Sequence, residues 1–388
     1  MATALHAMLC HDGGWVQSDE RTGHDTDRQV LVIGDSLGAV VTAGFLDHAG
    51  LDPVLAPPAS ESADSPVTVI WQPGLALLER LGLCRPVVRS GRTLSTLDCP
   101  ATGQSWRADS RERPALVAID RSTLQRLLDS HVLDRVKTTS RAVTAVESKS
   151  NGVRATFGCE VTEPFDTAVT AERSCLATDG SGAGQKLHTW TFEWPDDLPA
   201  PDSPTEVWTE TDAAFTVPVA DSTYVSLVTT AEVPQTAAVS SDDIADQFGH
   251  LFRATANPLA ALDGDGFTYR RVPNLAPRSL SHEYTSRIGT AARAALPGSH
   301  LGATLDIEAA WTLADALAYG PTAVDNALEA YEQRRRRRVT RLWGHVPEQQ
   351  ETQLSPTLRH LWLARRIVFS HVLNSEQSAL AYDVPESL

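Results

Sequence analysis

The first clear pattern along the chain is a short apolar run followed at once by a helical one. Residues 30–33 are continuously apolar and of strand length, and Gly34 ends the run. Apolar residues then recur at helical spacing over residues 37–48, and residues 53–56 form a second apolar run. This order predicts a strand, a tight turn, a helix and a parallel strand, which is the first unit of a parallel α/β sheet.

The remaining patterns are of two kinds. Helical spacing predicts further helices at 75–83, after Asp120, and at 242–254, 307–318, 323–342 and 358–373. Alternation of apolar and polar residues predicts a hairpin at 92–107, a meander at 142–169 and longer strands at 189–230. The last stretch predicts a separate antiparallel sheet, spanning roughly 185–275, with one face covered.

The charge of the chain indicates the salt conditions that suit the protein and argues against one kind of binding partner. The net charge is −16, and only three of the 33 basic residues are lysines, at positions 137, 149 and 186. Self-repulsion of this size is relieved at molar salt, where the screening length falls to about 3 Å. The composition is therefore typical of proteins from extreme halophiles, and an ordinary acidic cytosolic protein is the alternative. An acidic surface argues against a nucleic-acid partner.

Hydropathy and cysteine spacing predict a cytoplasmic protein without a metal centre. No apolar stretch approaches the length of about twenty residues that a membrane helix requires. Residues 1–27 lack the basic start and apolar core of a signal peptide, and they predict a flexible extension. The five cysteines form no CxxC pair, and the histidines show no metal-binding spacing.

The segment GDSL at 34–37 allows two interpretations. As an esterase motif it makes Ser36 a nucleophile, which also needs oxyanion donors and a general base. The chain contains neither a GxND block nor a late DxxH motif, so this hypothesis is a remote alternative. As a dinucleotide-binding turn, the segment continues through Gly38 and Ala39 and fits the GxGxxG pattern only at its first glycine.

Five segments, in order, resemble the FAD-dependent aromatic-ring hydroxylase (class A flavin monooxygenase) family between about residues 28 and 342. The segment VLVIGDSLGAVVTAGFLDHAGLDPVLA resembles the family's N-terminal βαβ unit. VTVIWQPGLALLERLGL and VAIDRSTLQRLLDSHV resemble two helical segments, and GVRATFGCEVTEPFDTAVTAERS occupies the place of a meander. GTAARAALPGSHLGATLDIEAAWTLADAL aligns without a gap on the family's "G-D-A-A-H…P…G-Q-G-x-N…I-E-D-A" segment.

The resemblance implies a fold, a cofactor and a set of binding positions. The fold is α/β: a Rossmann-like FAD/NAD(P)-binding three-layer domain with an antiparallel-sheet substrate domain and C-terminal helices. NAD(P)H would reduce FAD, and one oxygen atom would go to a small apolar ring or polyene. The implied cofactor-binding residues are Gly34, Ser36, Gly38, Ala39, Arg121, Gln125, Thr290, Gly302, Ala303 and Thr304, and those of the substrate cavity are Trp71 and His300.

The resemblance also divides the chain into domains. These are the extension at 1–27, a FAD-binding-type domain of 28–70, 115–180 and 280–345, a substrate-type domain of 71–114 and 181–279, and a helical segment at 346–388.

The chain departs from the family pattern at most of the polar flavin contacts. Ala56-Pro57 replaces the acid that would bind ribose, and residues 170–173 read Thr-Ala-Glu-Arg in place of "G-A-D-G". Thr290 and Arg293 replace the Asp and His of "G-D-A-A-H", and Asp35 adds a negative charge beside the expected pyrophosphate. Each lost hydrogen bond removes on the order of 1–3 kcal/mol, so these residues predict weak FAD binding or none. The chain is then either a monooxygenase-like enzyme or a catalytically silent relative that binds a ligand or a protein.

Two helical features remain. The arginine run at 334–338 is interpreted as a solvated helix end that pairs with Glu329 and Glu332, with an anion-binding site as the alternative. The apolar helix predicted at 358–373 is expected to pack on the protein or to form a homodimer or partner interface, rather than to contact a membrane.

Overall fold

The computed structural model describes residues 28–59, 65–100, 104–107, 116–158, 161–171, 186–209, 211–231, 240–262, 266–273, 279–292 and 300–343. The predicted extension at 1–27, the predicted helix at 358–373, and residues Glu172, Arg173 and Arg293 lie outside these stretches.

Strands and helices are numbered along the chain. The strands are β1 (Gln29–Ile33), β2 (Asp52–Ala56), β3 (Val67–Trp71), β4 (Arg92–Leu94), β5 (Thr96–Cys99), β6 (Gln104–Arg107), β7 (Leu116–Asp120), β8 (Lys137–Thr138), β9 (Val143–Lys149), β10 (Gly152–Phe157), β11 (Val161–Phe165), β12 (Thr167–Thr170), β13 (Lys186–Glu193), β14 (Thr205–Trp208), β15 (Asp212–Val219), β16 (Ser222–Thr229), β17 (Phe267–Pro273), β18 (Ser281–His282) and β19 (Thr285–Arg287). The α-helices are α1 (Leu37–His48), α2 (Gln72–Arg80), α3 (Cys84–Ser90), α4 (Arg121–Leu128), α5 (Ser241–Phe248), α6 (Gly289–Ala292), α7 (Gly302–Tyr319) and α8 (Val324–Trp343).

A six-stranded sheet in the order β18-β19-β12-β1-β2-β8 forms the centre of the fold. β1 pairs in parallel with β2 on one side and with β12 on the other. Every residue of β1 after Gln29 is buried, because both faces of the sheet are covered at this strand. The strand–helix–strand unit predicted at the start of the chain is confirmed.

The two faces of β1 belong to different cores. Val30 and Val32 pack with residues of α1, α2 and α7 on the helical side. Leu31 and Ile33 pack with residues of the three-stranded sheet β11-β10-β9. Successive strand residues point to opposite faces, so each row of β1 side chains enters one core. Helices, central sheet and small sheet form the three layers that the α/β prediction required.

A seven-stranded sheet in the order β17-β13-β16-β15-β14-β5-β6 forms the second part of the fold. Its members from β13 to β17 confirm the antiparallel sheet predicted from the alternation of residues. The β5–β6 hairpin joins it through a parallel pairing of β5 with β14. Helix α5 covers one face of this sheet, where Trp190, Ile244 and Phe248 are buried together.

Some boundaries differ from the prediction. Helix α2 begins at Gln72, earlier than predicted, because Pro73 suits a first helical turn in which no backbone donor is required. The helix predicted at 242–254 ends as an α-helix at Phe248, and α3 was not predicted. The end of the meander predicted at 142–169 divides at Asp166: β11 belongs to the small sheet, and β12 joins the central one.

The arginine run of α8 corrects one prediction. Arg335 and Arg338 are only 3% and 8% exposed, and both donate to the fully buried carboxylate of Glu308 on α7. Arg336 pairs with Glu332 at 2.6 Å, as predicted. The interpretation of the whole run as solvated was wrong, because five consecutive arginines on a helix point all round it and some must face the helix it packs on.

Within the part of the chain that the structure describes, no helix is both long and apolar enough to cross a membrane. The same residues include no cluster of His, Cys, Asp and Glu side chains arranged to hold a metal ion.

Candidate functional site

The turn between β1 and α1 lies where open α/β sheets bind their ligands. Gly34 has a φ of 147°, which favours glycine, and its N–H donates to Ala56 O at the end of β2 (2.9 Å). Ser36 is buried at the N-cap position of α1. β2 and β12 lie on opposite sides of β1, so the C-terminal end of β1 is a topological switch point.

Helix α1 packs closely against α7 at this turn. A Cβ added to Gly38 would lie 3.6 Å from Asp306 Cβ and 3.7 Å from Gly289 Cα, which are ordinary contact distances. Asp306 therefore places a half-buried carboxylate beside the first turn of α1, where Ala39 is fully buried. Sequence reasoning identified Asp35 as an acidic neighbour of the turn and missed Asp306, because periodicity does not show which helix packs on the turn.

The segment after β19 makes a second close backbone contact. Gly289 has a φ of 54°, and a Cβ there would lie 3.1 Å from Ala171 O. The same carbonyl accepts a hydrogen bond from Ala291 N (3.1 Å), which fixes α6 at the end of β12. Thr290, predicted to bind the cofactor, lies in α6. The backbone of this segment thus fits the resembled pattern at its glycine, while its polar residue is Thr instead of Asp.

Helix α7 begins beside the end of β3. Leu301 occupies the N-cap position and gives no side-chain hydrogen bond to the first turn. Gly302 and Ala303 are half-buried, and the first N–H groups of this 18-residue helix carry the positive end of its dipole. Thr304 is buried, and its Oγ1 accepts a hydrogen bond from Trp71 N (2.9 Å). Its hydroxyl is therefore engaged within the protein.

Helix α4 carries the two residues predicted to face the cofactor phosphates. Asp120 caps this helix by accepting a hydrogen bond from Thr123 N (2.8 Å). Burial raises the pKa of the Asp120 carboxyl, but its hydrogen bonds outweigh burial and lower that pKa overall. Arg121 and Gln125 are half-buried, and Gln125 Nε2 donates to Asp129 Oδ1 (2.8 Å) along the same helix. Contact of these two residues with a phosphate stays a prediction.

Trp71 and His300, the predicted cavity residues, lie in direct contact. Trp71 Nε1 donates to His300 O (2.7 Å), and both residues are 1% exposed. His300 Nδ1 lies 3.0 Å from Oε1 of Glu206 on β14. The other oxygen of Glu206 accepts a hydrogen bond from Trp208 Nε1 (3.1 Å). Sequence reasoning missed Glu206, and the available signal was an acidic residue inside a strongly alternating strand.

One face of the seven-stranded sheet is directed toward the start of α7. The Phe215 ring meets the His300 ring edge-on, with 5.8 Å between centroids. The strand registers place Glu206, Phe215, Ser226 and Thr191 in one row of this face, and Trp208, Ala213, Val228 and Thr189 in the next. Large apolar side chains with a few hydroxyl groups are typical of the lining of small-molecule sites.

Tyr224, on β16, lies on the same face of the sheet, opposite Val217. Burial raises the pKa of its phenol, and the carboxylates of Glu193 and Asp120 raise it further. The phenol is therefore neutral near pH 7 and can donate a hydrogen bond.

Comparison with known proteins supports this architecture. No protein-family model and no curated protein sequence matches the chain. The tetrameric form of 2-methyl-3-hydroxypyridine-5-carboxylic acid oxygenase is similar, with a TM-score of 0.64 and 19% identity over 92% of this chain and 97% of that one. HpxO of Klebsiella pneumoniae, complexed with FAD and uric acid, is similar with a TM-score of 0.63 and 19% identity over 90% and 93% of the two chains. Tetracycline destructase Tet(55) is similar with a TM-score of 0.62 and 17% identity over 88% and 90%.

The chain therefore has the fold of the class A flavin monooxygenases. This fold favours the dinucleotide-type interpretation of the Gly34 turn over the esterase hypothesis for Ser36. At the identities found, the likeness concerns the fold, and the chemistry has to be argued from the site itself.

The backbone of the site fits FAD better than the side chains do. Gly34 and Gly289 have the positive φ values of tight turns, and α1 and α7 both begin in this region. At the end of β2, the fully buried methyl of Ala56 stands where the resembled pattern has a ribose-binding acid. The polar groups of Gln125 and Thr304 are hydrogen-bonded within the protein.

Proposed function

We propose that the chain is a flavin monooxygenase-type oxidoreductase that binds FAD weakly, mainly through backbone groups, and acts on a small, mostly apolar ring or polyene. One observation carries the proposal: a Cβ added to Gly38 of α1 would contact both Gly289, the first residue of α6, and Asp306 of α7. Three backbone segments that the resemblance assigns to FAD therefore converge at the topological switch point of the central sheet.

In this proposal the N–H groups at the start of α1 bind the pyrophosphate. The N–H groups of Gly302 and Ala303 would hold the pyrimidine edge of the flavin, where the dipole of α7 would favour negative charge. Arg121 contributes a positive charge from the first turn of α4. FAD would supply the redox chemistry when bound, with NAD(P)H as the reductant and O₂ as the oxidant.

The affinity for FAD is expected to be low. Ala56 cannot accept a hydrogen bond from a ribose hydroxyl through its side chain, and the residue at position 290 is Thr in place of Asp. Two lost hydrogen bonds of about 1.4 kcal/mol each lower the affinity roughly a hundredfold. Asp35 and Asp306 add negative charges near the phosphates, and molar salt weakens that repulsion by screening.

The substrate is placed between the seven-stranded sheet and α7. On that face Trp208 is 8% exposed, and Thr189 and Ser226, which carry hydroxyl groups, are 5% and 6% exposed, whereas Phe215 and Val228 are fully buried. The proposal includes the domain division given by the resemblance, with 28–70, 115–180 and 280–345 holding FAD and 71–114 and 181–279 covering the substrate. It also includes a cytoplasmic setting at high salt, on the basis of composition.

A titration with FAD in molar salt tests the proposal. We expect a protein that gains a yellow, protein-bound flavin spectrum only at high FAD concentration, and NAD(P)H oxidation that a suitable ring substrate stimulates. The matched control is Ala303→Glu: an acidic residue suits a helix N-terminus, so α7 should form, but the charge occupies the flavin edge. Absence of saturable FAD binding to the natural chain, at any salt concentration, would overturn the proposal.

The second candidate is a catalytically silent relative that binds a ligand or a protein partner. The carboxylate of Asp306 beside the Gly38 turn favours this second candidate, because its negative charge would repel a pyrophosphate bound at that turn. It predicts no flavin spectrum, no NAD(P)H oxidation, and a partner or homodimer that depends on residues 346–388. Size measurement in molar salt with and without that segment distinguishes the two candidates.

A further inference from the structure

A buried carboxylate and a buried imidazole meet where the seven-stranded sheet contacts the start of α7. Glu206 and His300 are each 1% exposed, and His300 Nδ1 lies 3.0 Å from Glu206 Oε1. This distance is that of an ion pair, but Nδ1 and Oε1 are not aligned for a hydrogen bond. The other ring nitrogen, Nε2, lies 3.2 Å from Thr216 O. Both nitrogens of the imidazole therefore face oxygen acceptors.

The polar atoms of the two side chains face each other inside the protein. A neutral imidazole that donates from Nε2 to Thr216 O presents the lone pair of Nδ1 to the carboxylate of Glu206. Two lone pairs at this distance repel each other, and burial leaves that repulsion strong. A hydrogen-bond donor on either side chain would remove it. Removal of either side chain takes this contact from a buried neighbour, although Glu206 still accepts from Trp208 Nε1 and His300 Nε2 still faces Thr216 O.

The pair is connected to the first turn of α7 through short links. His300 is two residues before Gly302, the first residue of the helix. Its backbone oxygen accepts the indole N–H of Trp71 at 2.7 Å, and the backbone N–H of Trp71 donates to Thr304 Oγ1 at 2.9 Å. On the other side, Glu206 belongs to β14. Three separate elements, β3, β14 and α7, are thus joined at one buried point.

We propose that Glu206 and His300 are a positioning pair that fixes the first turn of α7 and the indole of Trp71 against the seven-stranded sheet. Buried ion pairs add little net stability compared with apolar side chains of similar size. Their distinctive effect is to permit one arrangement of the groups around them, and here those groups are the helix start and the substrate-facing sheet. The consequence for FAD rests on the proposed function, whereas the positioning itself does not.

Amide hydrogen exchange, measured by mass spectrometry on the full chain without added FAD, tests the positioning. Glu206→Gln keeps the size, and its amide can donate to His300 Nδ1 while its oxygen accepts from Trp208 Nε1, so it should preserve protection. Glu206→Leu keeps the volume but removes the anchor. The control is Ile244→Ala, a cavity on the opposite, α5-covered face of the same sheet.

In Glu206→Leu we expect exchange at least about tenfold faster at two bonded amides, Trp71 N–H, which donates to Thr304 Oγ1, and Leu305 N–H, which donates to Leu301 O. This corresponds to a local opening made easier by about 1.4 kcal/mol. Ile244→Ala should raise exchange in α5 and leave those two amides protected. Unchanged protection of the α7 start in Glu206→Leu would overturn the proposal. An increase in exchange of the same size in all peptides of the chain would also overturn the proposal, because that result indicates a general loss of stability. If Glu206→Leu does not fold, His300→Gln replaces it in the same comparison.

The effect of this pair on FAD binding is measured in a separate experiment. If the natural chain binds FAD, Glu206→Leu should weaken binding about tenfold or more and shift the flavin absorption band, and Glu206→Gln should restore both. If the natural chain binds no FAD, the proposed function fails, and the exchange experiment still decides whether Glu206 and His300 position α7.

Discussion

Replacement of Glu308 tests how α7 and α8 are held together. Its carboxylate is fully buried, with Oε1 accepting from Arg338 Nη2 (2.7 Å) and Oε2 from Arg338 Nε (3.0 Å) and Arg335 Nη1 (3.2 Å). Arg335 also donates to Leu305 O (2.9 Å). Glu308→Ala therefore removes the carboxylate that both buried guanidinium groups contact.

The magnitude follows from the burial of the group. Breaking a buried ion pair from one side lowers the free energy of unfolding by about 3–5 kcal/mol, a large part of the 5–15 kcal/mol that is typical of folded proteins. The unfolding entropy grows with chain length, so a chain of 388 residues shifts by only about 1–2 °C per kcal/mol, and the midpoint of thermal unfolding should fall by roughly 3–10 °C. Buried pairs are screened weakly, so the loss should persist in molar salt.

The assay is thermal unfolding followed by circular dichroism at low and at molar salt. Glu329→Ala is the matched control, because Glu329 is an exposed glutamate of α8 that accepts a hydrogen bond only from Gln333 in the described contacts (3.3 Å). Its effect should stay within about 0.5 kcal/mol. A Glu308→Ala protein that unfolds at the same temperature as the control would refute the reasoning, and so would a loss that disappears in molar salt.

Three further outcomes are expected. Burial raises the pKa of Glu332, but hydrogen bonds from neighbouring serines and an arginine outweigh it, so the pKa lies below its ordinary value of 4.5. The stability that Glu332 contributes is then present above that pH and lost as the pH falls through the lowered pKa, and Glu332→Gln should flatten the acid side of a urea-unfolding profile. Burial raises the pKa of the fully buried Tyr331, so its contribution is present below about pH 10 and lost above it. Tyr331→Phe should unfold less readily in alkali while losing about 1 kcal/mol at pH 7, because the hydrogen bond to Arg287 O (2.8 Å) is gone. Gly289→Ala should lower the free energy of unfolding by about 1–2 kcal/mol, because Gly289 has a φ of 54°. Gly38→Ala should change it by less than about 1 kcal/mol, because the added Cβ makes only ordinary contacts. Chemical denaturation measures both changes.

The elements that follow from local pattern were predictable. The apolar run before Gly34 and the helical spacing after it correspond to β1 and α1, and the alternation after residue 205 corresponds to β14, β15 and β16. Side-chain periodicity and turn residues act over a few positions along the chain, so they can be recognised without a partner. The family likeness in five ordered segments then identified the fold.

The pairing of distant segments was not predictable in this way. Asp306 and Gly38 are far apart in sequence and meet only because α7 packs on α1. Glu206 and His300 come together across the junction of the seven-stranded sheet and α7. No local pattern marks such a contact, because its energy depends on a partner that the fold brings from elsewhere.

Composition, the strand and helix periodicities, the turn at Gly34 and the likeness of the fold were thus determined by the amino-acid sequence alone. Only the tertiary structure decided which polar groups are engaged inside the protein. It turned Arg335 and Arg338 inward onto Glu308, although Arg336 and Arg337, which lie between them in the sequence, are exposed. The physical reason is that burial of a charge is stable only when an opposite charge is already in place, and that place is set by the packing of whole helices.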